Sequence, residues 1–314
     1  MTRIILLLLT CWMLGCSTTG QNTNKKRIEE LTRLAEVSDS LKDQRQSILY
    51  YTQILEIDST NLFALINRGR ALVWIGKLNE GFSDYNKAVR LYPHERTFYA
   101  RGMTYVKVKE YEKASQDITK AIEFNPAFGE AYFGLSFIKE AQGNLDSALI
   151  YCNKAEMHNC PLQEVQERKA GLFEKQGNYQ AAINEMTKLI QAVPSMASYY
   201  NNRGYEKTKL HQYAEAIEDL DIAIKLDSSM AFAYNNKAFA LLKQNQTNAA
   251  LNYVNTSLRL NNQNPYAFKT RGEIYLSLYQ KDKACSDFTQ AETLNKDYNL
   301  IKELKALKDT ACKN

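Results

Sequence analysis

The chemical pattern repeated most often in this 314-residue chain is a cation followed sixteen residues later by a carboxylate: Arg68 and Asp84, Arg101 and Asp117, Arg203 and Asp219, Arg271 and Asp287. Lys169 with Glu185 keeps both charges, and Lys237 with Tyr253 keeps one; where Leu34 and Leu135 replace the cation, Tyr50 and Tyr151 replace the acid. Such a pair joins two elements of a scaffold. It fixes register more reliably than it adds stability, and many copies of it do not make one reaction centre. His94, His158 and His211 fall near turns with no nucleophile or metal-ligand spacing beside them, and there is no Gly-rich phosphate loop, HExxH or GxSxG. The expectation is a non-enzyme without cofactor, metal or small-molecule substrate. The groups left for recognition are amides and aromatic rings. Asn201-Asn202 and Asn235-Asn236 occupy matched places, and Asn67 has the same phase. An amide donates and accepts at once, so a row of amides can hold a peptide backbone without reading its side chains.

Two ladders of small residues organise the elements that carry these groups. Ser47, Gly81, Ala114, Ala148, Ala182, Ala216, Ala250 and Ala284 are separated by 34, 33, 34, 34, 34, 34 and 34 residues. Ala35, Gly69, Gly102, Ser136, Ala170, Gly204, Ala238 and Gly272 keep phase with them. A fixed period in this range marks a stack of identical supersecondary units rather than one compact core. In the unit from Leu62 to Glu95, Leu65, Gly69 and Leu72 fall at helical spacing and Gly76-Lys77 interrupts them. Leu78 then opens a second helix through Gly81, Tyr85, Ala88 and Leu91, which Pro93 stops. Small residues stand where two helices cross closely, and large ones such as Phe98, Tyr132 and Tyr275 fill the flanks.

In this order of small residue, aromatic and proline the chain resembles the tetratricopeptide repeat family. The resemblance implies an all-α fold, a right-handed superhelical solenoid of about eight helix-turn-helix repeats over 28–296. The units start near 28, 62, 95, 129, 163, 197, 231 and 265, and a C-terminal capping helix follows over 297–314. Its apolar face is Leu300, Ile301, Leu304 and Leu307.

By the same resemblance, the first helices form a concave groove that binds extended peptides or partner helices. The ladders then name its lining. Phe63, Ile66, Arg70 and Val73, then Arg96, Tyr99, Met103 and Val106, then Phe133 and Phe137 make an apolar stretch. Glu164, Glu167 and Glu174 are acidic; Ser198, Asn201, Tyr205 and Thr208, then Phe232, Asn235, Phe239 and Leu242, mix rings with polar groups. Asn67, Asn201, Asn202, Asn235 and Asn236, with Tyr205, Phe239, Phe63, Tyr99 and Phe133, are the candidate partner-binding residues. Two other readings stay open: the amides bond to neighbouring helices, and the apolar inner helices pack on one another. A second functional class is glycan binding, with Tyr205, Phe232 and Phe239 as platforms.

The first residues are read separately. Arg3, the apolar run Ile4 to Leu14 and Gly15-Cys16 fit a secretion signal over 1–15, too short to span a bilayer. Met13-Leu14-Gly15-Cys16 resembles a bacterial lipobox, which implies cleavage before Cys16 and lipidation of that cysteine; an ordinary signal with an incidental cysteine is the alternative. Residues 16–27 read as a flexible tether, and Ser17 resembles the outer-membrane sorting pattern. The expected localisation is the cell envelope, lipid-anchored at the outer membrane and facing the periplasm, with another envelope protein or peptide as partner. The net charge of +5 comes from interleaved lysines, arginines and acids and gives no reason to expect nucleic acid. In an oxidising compartment Cys152, Cys160, Cys285 and Cys312 invite a disulfide reading. Cys152 and Cys160, if both helical, lie about 12 Å apart, beyond disulfide reach. Cys152 reads as a core residue. Cys285 with Cys312 could tie the last repeat to the terminal helix, which spacing alone leaves open.

Overall fold

The computed structural model describes residues 22–295 and 297–312; the leader expected over 1–15 and Cys16, expected to carry lipid, lie outside the described residues. Among the described residues every regular element is a helix, and none is long and apolar enough to cross a membrane. They form two compact units, the first reaching Cys160 and the second starting at Pro161. The first contains α1 (22–40), α2 (Gln44–Ile57), α3 (Leu62–Trp74), α4 (Leu78–Leu91), α5 (Glu95–Lys107), α6 (Tyr111–Phe124), α7 (Gly129–Ala141) and α8 (Leu145–Met157). The second contains α9 (Leu162–Lys175), α10 (Tyr179–Ala192), α11 (Ala197–Lys209), α12 (Tyr213–Leu226), α13 (Ala231–Lys243), α14 (Thr247–Leu260), α15 (Pro265–Ser277), α16 (Lys281–Leu294) and α17 (Tyr298–Ala311). Helix α1 starts inside the stretch read as a tether: its first turn, over 22–27, is exposed and runs ahead of the first fully buried residue, Leu31.

The two ladders meet each other. A methyl group on Gly69 would stand 3.1 Å from the carbonyl oxygen of Gly81, and one on Gly81 would stand 2.8 Å from that of Gly69. Gly102 faces the carbonyl of Ala114 and Gly204 that of Ala216 in the same way, at 3.3 and 3.2 Å. The first helix of each pair therefore crosses the second where neither has a bulky side chain, and the backbones come into contact. Leucine, isoleucine and aromatic side chains around each crossing form the core, with Tyr51, Ile54 and Leu65 in one cluster and Phe98, Ile118 and Ile138 in another.

Every first helix also ends alike. In α3 the amide of Lys77 bonds to the carbonyl of Leu72, five residues back, and the residue between the helices, Gly76, has φ +85°. This is the Schellman closure, in which a left-handed residue lets the chain satisfy the last carbonyls of the helix. The same bond recurs from Asp43, Glu110, Asn144, Asn178, Gln212, Gln246 and Gln280. The left-handed residue is glycine at 76, 143 and 177 only; Lys42, Lys109, His211, Asn245 and Tyr279 take it elsewhere.

The cation–acid pairs join the two helices of one repeat. Arg68, Arg101, Arg203 and Arg271 each grip the aspartate sixteen residues on with two bonds of 2.6–2.8 Å. Lys169 lies 3.7 Å from Glu185. The remaining guanidinium nitrogen turns back to the preceding repeat: Arg68 to Thr52, Arg203 to Thr187 and Arg271 to Asn255, each at 3.2 Å, and Arg101 to Asn86 at 2.8 Å. Lys237 inverts the scheme, with Tyr253 ahead at 2.8 Å and the acid, Asp221, behind it. Each of the four arginines, and Lys237, therefore clamps three helices, two of its own repeat and one of the repeat before.

Helix α17 covers the apolar end of α16. Leu300, Leu304 and Ala311 pack on Ala284, Phe288 and Ala291, and Lys308 pairs with Glu292 at 2.6 Å. A disulfide between Cys285 and Cys312, with Cα atoms 5.2 Å apart, fastens the far end of α17 to α16. Cys152 and Cys160 are both buried, Cys152 on the core face of α8.

Candidate functional site

Within each unit the first helices of successive repeats also touch one another: α3 with α5 and α5 with α7 in the first unit, and α11 with α13, α13 with α15 and α15 with α17 in the second. That additional packing makes them the inner row, and the candidate residues stand on it.

In the first unit the inner face is largely self-filled. The Tyr99 ring meets Phe128 edge-on at 5.2 Å, and Phe133 meets Phe137 at the same distance. Tyr99 and Met103 close over Gly134, where an added methyl would stand 3.3 and 3.0 Å from them. Val73, expected on the exposed wall, is buried against Gly81, because the close crossing of α3 and α4 draws it into the interface. Asn67 is buried too, and its amide donates to the carbonyl of Phe63 in its own helix at 2.9 Å. Phe63 remains exposed, in ring contact with Tyr51 at 5.9 Å.

The second unit brings the other four amides together. Asn236 donates to Asn201 at 3.1 Å, and Asn201 donates to Asn202 at 3.1 Å. Asn235 donates to Asn236 at 3.5 Å, long for such a bond. The chain of amides thus crosses from α13 to α11 in one direction. One end is Asn202, which is exposed. The other is Asn235, 6% exposed, whose Oδ1 is buried with no hydrogen-bond partner. A buried acceptor left unpaired costs about 1–3 kcal/mol, so the row is not closed on itself.

Tyr205 and Phe239 flank the amides, and each ring carries a lysine: Lys209 stands 5.0 Å from the centre of Tyr205, and Lys243 the same distance from that of Phe239. Thr208, expected on the wall, is buried because its hydroxyl turns back to the carbonyl of Tyr205 at 2.6 Å. Burial, with Glu174, Glu206 and Glu303 adding their fields, pushes the Tyr205 hydroxyl up to about 12. Glu206 itself is 2% exposed; burial and then the charge of Glu174 push its carboxyl up to about 8, against a small opposing pull from Lys209. On α9, Glu167 accepts from Gln163 at 3.2 Å and from the Tyr199 hydroxyl. Sequence reasoning missed Glu206, because its phase lies one residue past the wall position of Tyr205. It also missed Lys269 on α15, which is bound by Glu303 at 2.9 Å and Glu273 at 3.5 Å. Among the described residues no group of three His, Cys, Asp or Glu could hold a metal ion.

Two stretches, 95–128 and 197–230, match the tetratricopeptide repeat family model. Hsp70-Hsp90 organizing protein 1 of Arabidopsis thaliana is 29% identical over 175 residues, covering 54% of this chain and 30% of that protein. This chain therefore spans less than a third of the length of that curated relative. Among solved structures, a tetratricopeptide repeat protein of Parabacteroides merdae superposes with a TM-score of 0.53 at 20% identity, covering 90% of this chain and 99% of that one. Pseudomonas aeruginosa pilF does so with a TM-score of 0.53 at 19% identity, covering 68% of this chain and 96% of that one. The chain carries tetratricopeptide repeats, and its fold is that of proteins built from them.

Proposed function

We propose that this tetratricopeptide-repeat chain is a non-enzymatic scaffold that holds an extended segment of a partner protein on the inner face of its second unit. Proteins with these repeats act as interaction scaffolds, and a matched relative is named for organizing Hsp70 and Hsp90. The observation that carries the reading here is the open amide row: an exposed donor at Asn202 and an orphan acceptor at Asn235 leave both ends short of a partner that a peptide backbone supplies. In the fuller form of the proposal Cys16 carries lipid and the partner is a cell-envelope protein met at the periplasmic face of the outer membrane. The apolar run ahead of Cys16 supports that form.

The glycan reading is weaker. Sugar platforms need open ring faces; Phe232 is exposed, but Lys209 stands over one face of Tyr205 and Lys243 over one face of Phe239.

The test is photocrosslinking in intact cells from benzophenone side chains placed at Asn202 and, as a control on α12, at exposed Ile222. We expect one protein, identified by mass spectrometry, at Asn202 and none of it at Ile222. Equal yields at the two positions would refute the inner-face assignment.

A further inference from the structure

The fields of three carboxyl groups from three helices reach the hydroxyl of Tyr205: Glu174 of α9, Glu206 of α11 and Glu303 of α17. Glu303 has a cation of its own in Lys269. The other two do not. Glu174 is exposed and makes no ion pair among the described residues. Glu206 is buried, Glu174 is the main charge acting on it, and its Oε2 has no hydrogen-bond partner. The cation whose field reaches it is Lys209, an exposed side chain that stacks on the Tyr205 ring instead of bonding the carboxyl.

A buried carboxyl with an oxygen unbonded, lying in the field of a second carboxyl, is an arrangement that folding alone does not favour. An ammonium or guanidinium group remedies both faults: it donates to the orphan oxygen and favours the ionised form of Glu206 against the field of Glu174, and charge-assisted bonds of this kind are about twice as strong as neutral ones. The ring of Tyr205 adds a face that attracts a cation, and Lys209 is displaced from that face as the newcomer enters. The amide row lies on the same helix, since Asn201, Asn202, Tyr205 and Glu206 occupy successive turns of α11.

We infer that the second unit binds a cationic partner: an extended segment held by the amides that places a lysine or arginine side chain on the Glu206 carboxyl. This rests on the inner-face reading proposed above.

The experiment is fluorescence polarisation of the purified chain with a library of ten-residue peptides. One position at a time is fixed as lysine, arginine, leucine or glutamate and the others are varied. One position is expected to prefer lysine or arginine over leucine and glutamate by at least tenfold. Glu174→Gln with Glu206→Gln should erase that preference while leucine peptides bind as before. Glu174→Gln alone, at an exposed position and with helix content checked by circular dichroism, should reduce the preference about threefold. Peptides that bind without regard to charge, or a preference that survives both substitutions, would overturn this inference and leave the inner-face reading standing. No peptide binding at all would overturn both.

Discussion

Asp117→Ala is expected to destabilise the first unit by about 3–5 kcal/mol, the range for removing one member of a buried ion pair. Asp117 is buried and receives both the Nε and the Nη2 of Arg101, at 2.7 and 2.8 Å. Without it the guanidinium keeps only Asn86, at 2.8 Å, inside the joint between α4, α5 and α6. The loss should appear as a lower urea midpoint by circular dichroism and as faster amide exchange in α5 and α6. The companion variant carries the argument. Arg101→Met with Asp117→Leu removes both charges and leaves none stranded, and such exchanges are often neutral or stabilising. It should unfold within about 1 kcal/mol of the parent, or later. If the single and double variants lose equal stability, the pair is a net source of stability rather than a register device. If Asp117→Ala falls within about 0.5 kcal/mol of the parent, the clamp does not hold the joint at all.

The second large effect is expected at the other end of the chain. The disulfide joins residues 27 apart, and chain-entropy reasoning assigns a loop of that size about 3–4 kcal/mol. Cys285→Ser with Cys312→Ser should release α17 first, because Leu300, Leu304 and Ala311 are its main apolar hold on α16. The measurement is hydrogen exchange by mass spectrometry. Amides of α17 should exchange at least a hundredfold faster, those of α16 should follow, and those of α9 to α12 should be unchanged. Protection of α17 within threefold of the parent would show that packing, not the disulfide, keeps the helix in place.

These two sites differ in how far sequence alone reveals them. The forward partner of each cation was legible because both residues recur at a fixed offset, and an offset that survives several repeats implies a contact. The backward partner follows the same rule, with Thr52, Thr187 and Asn255 each sixteen residues before their arginine. It was hidden because its chemical type changes and because the single 33-residue step shortens the interval to fifteen for Asn86 and Arg101. The left-handed turn residue was hidden for the same reason: lysine, histidine, asparagine and tyrosine occupy a place that a search for glycine passes over. The Cys285–Cys312 bond depends on a separation between two helix ends, which no periodicity supplies. At the inner face, phase assigned the four asparagines to the first helices of their repeats, α11 and α13, but could not show that Asn235 is buried there. It could not say that they bond to each other, nor that Asn67 turns to its own backbone. Phase is a property of the helix; hydrogen bonding depends on the rotamers its neighbours permit.

The proposed function requires the amide row to bind the partner's backbone. Its most direct test is calorimetry with the segment identified by crosslinking, titrated into the parent chain and into Asn202→Ala with Asn236→Ala. At least a tenfold loss of affinity is expected with helix content unchanged; affinities within twofold of each other would show that the amides do not hold the partner.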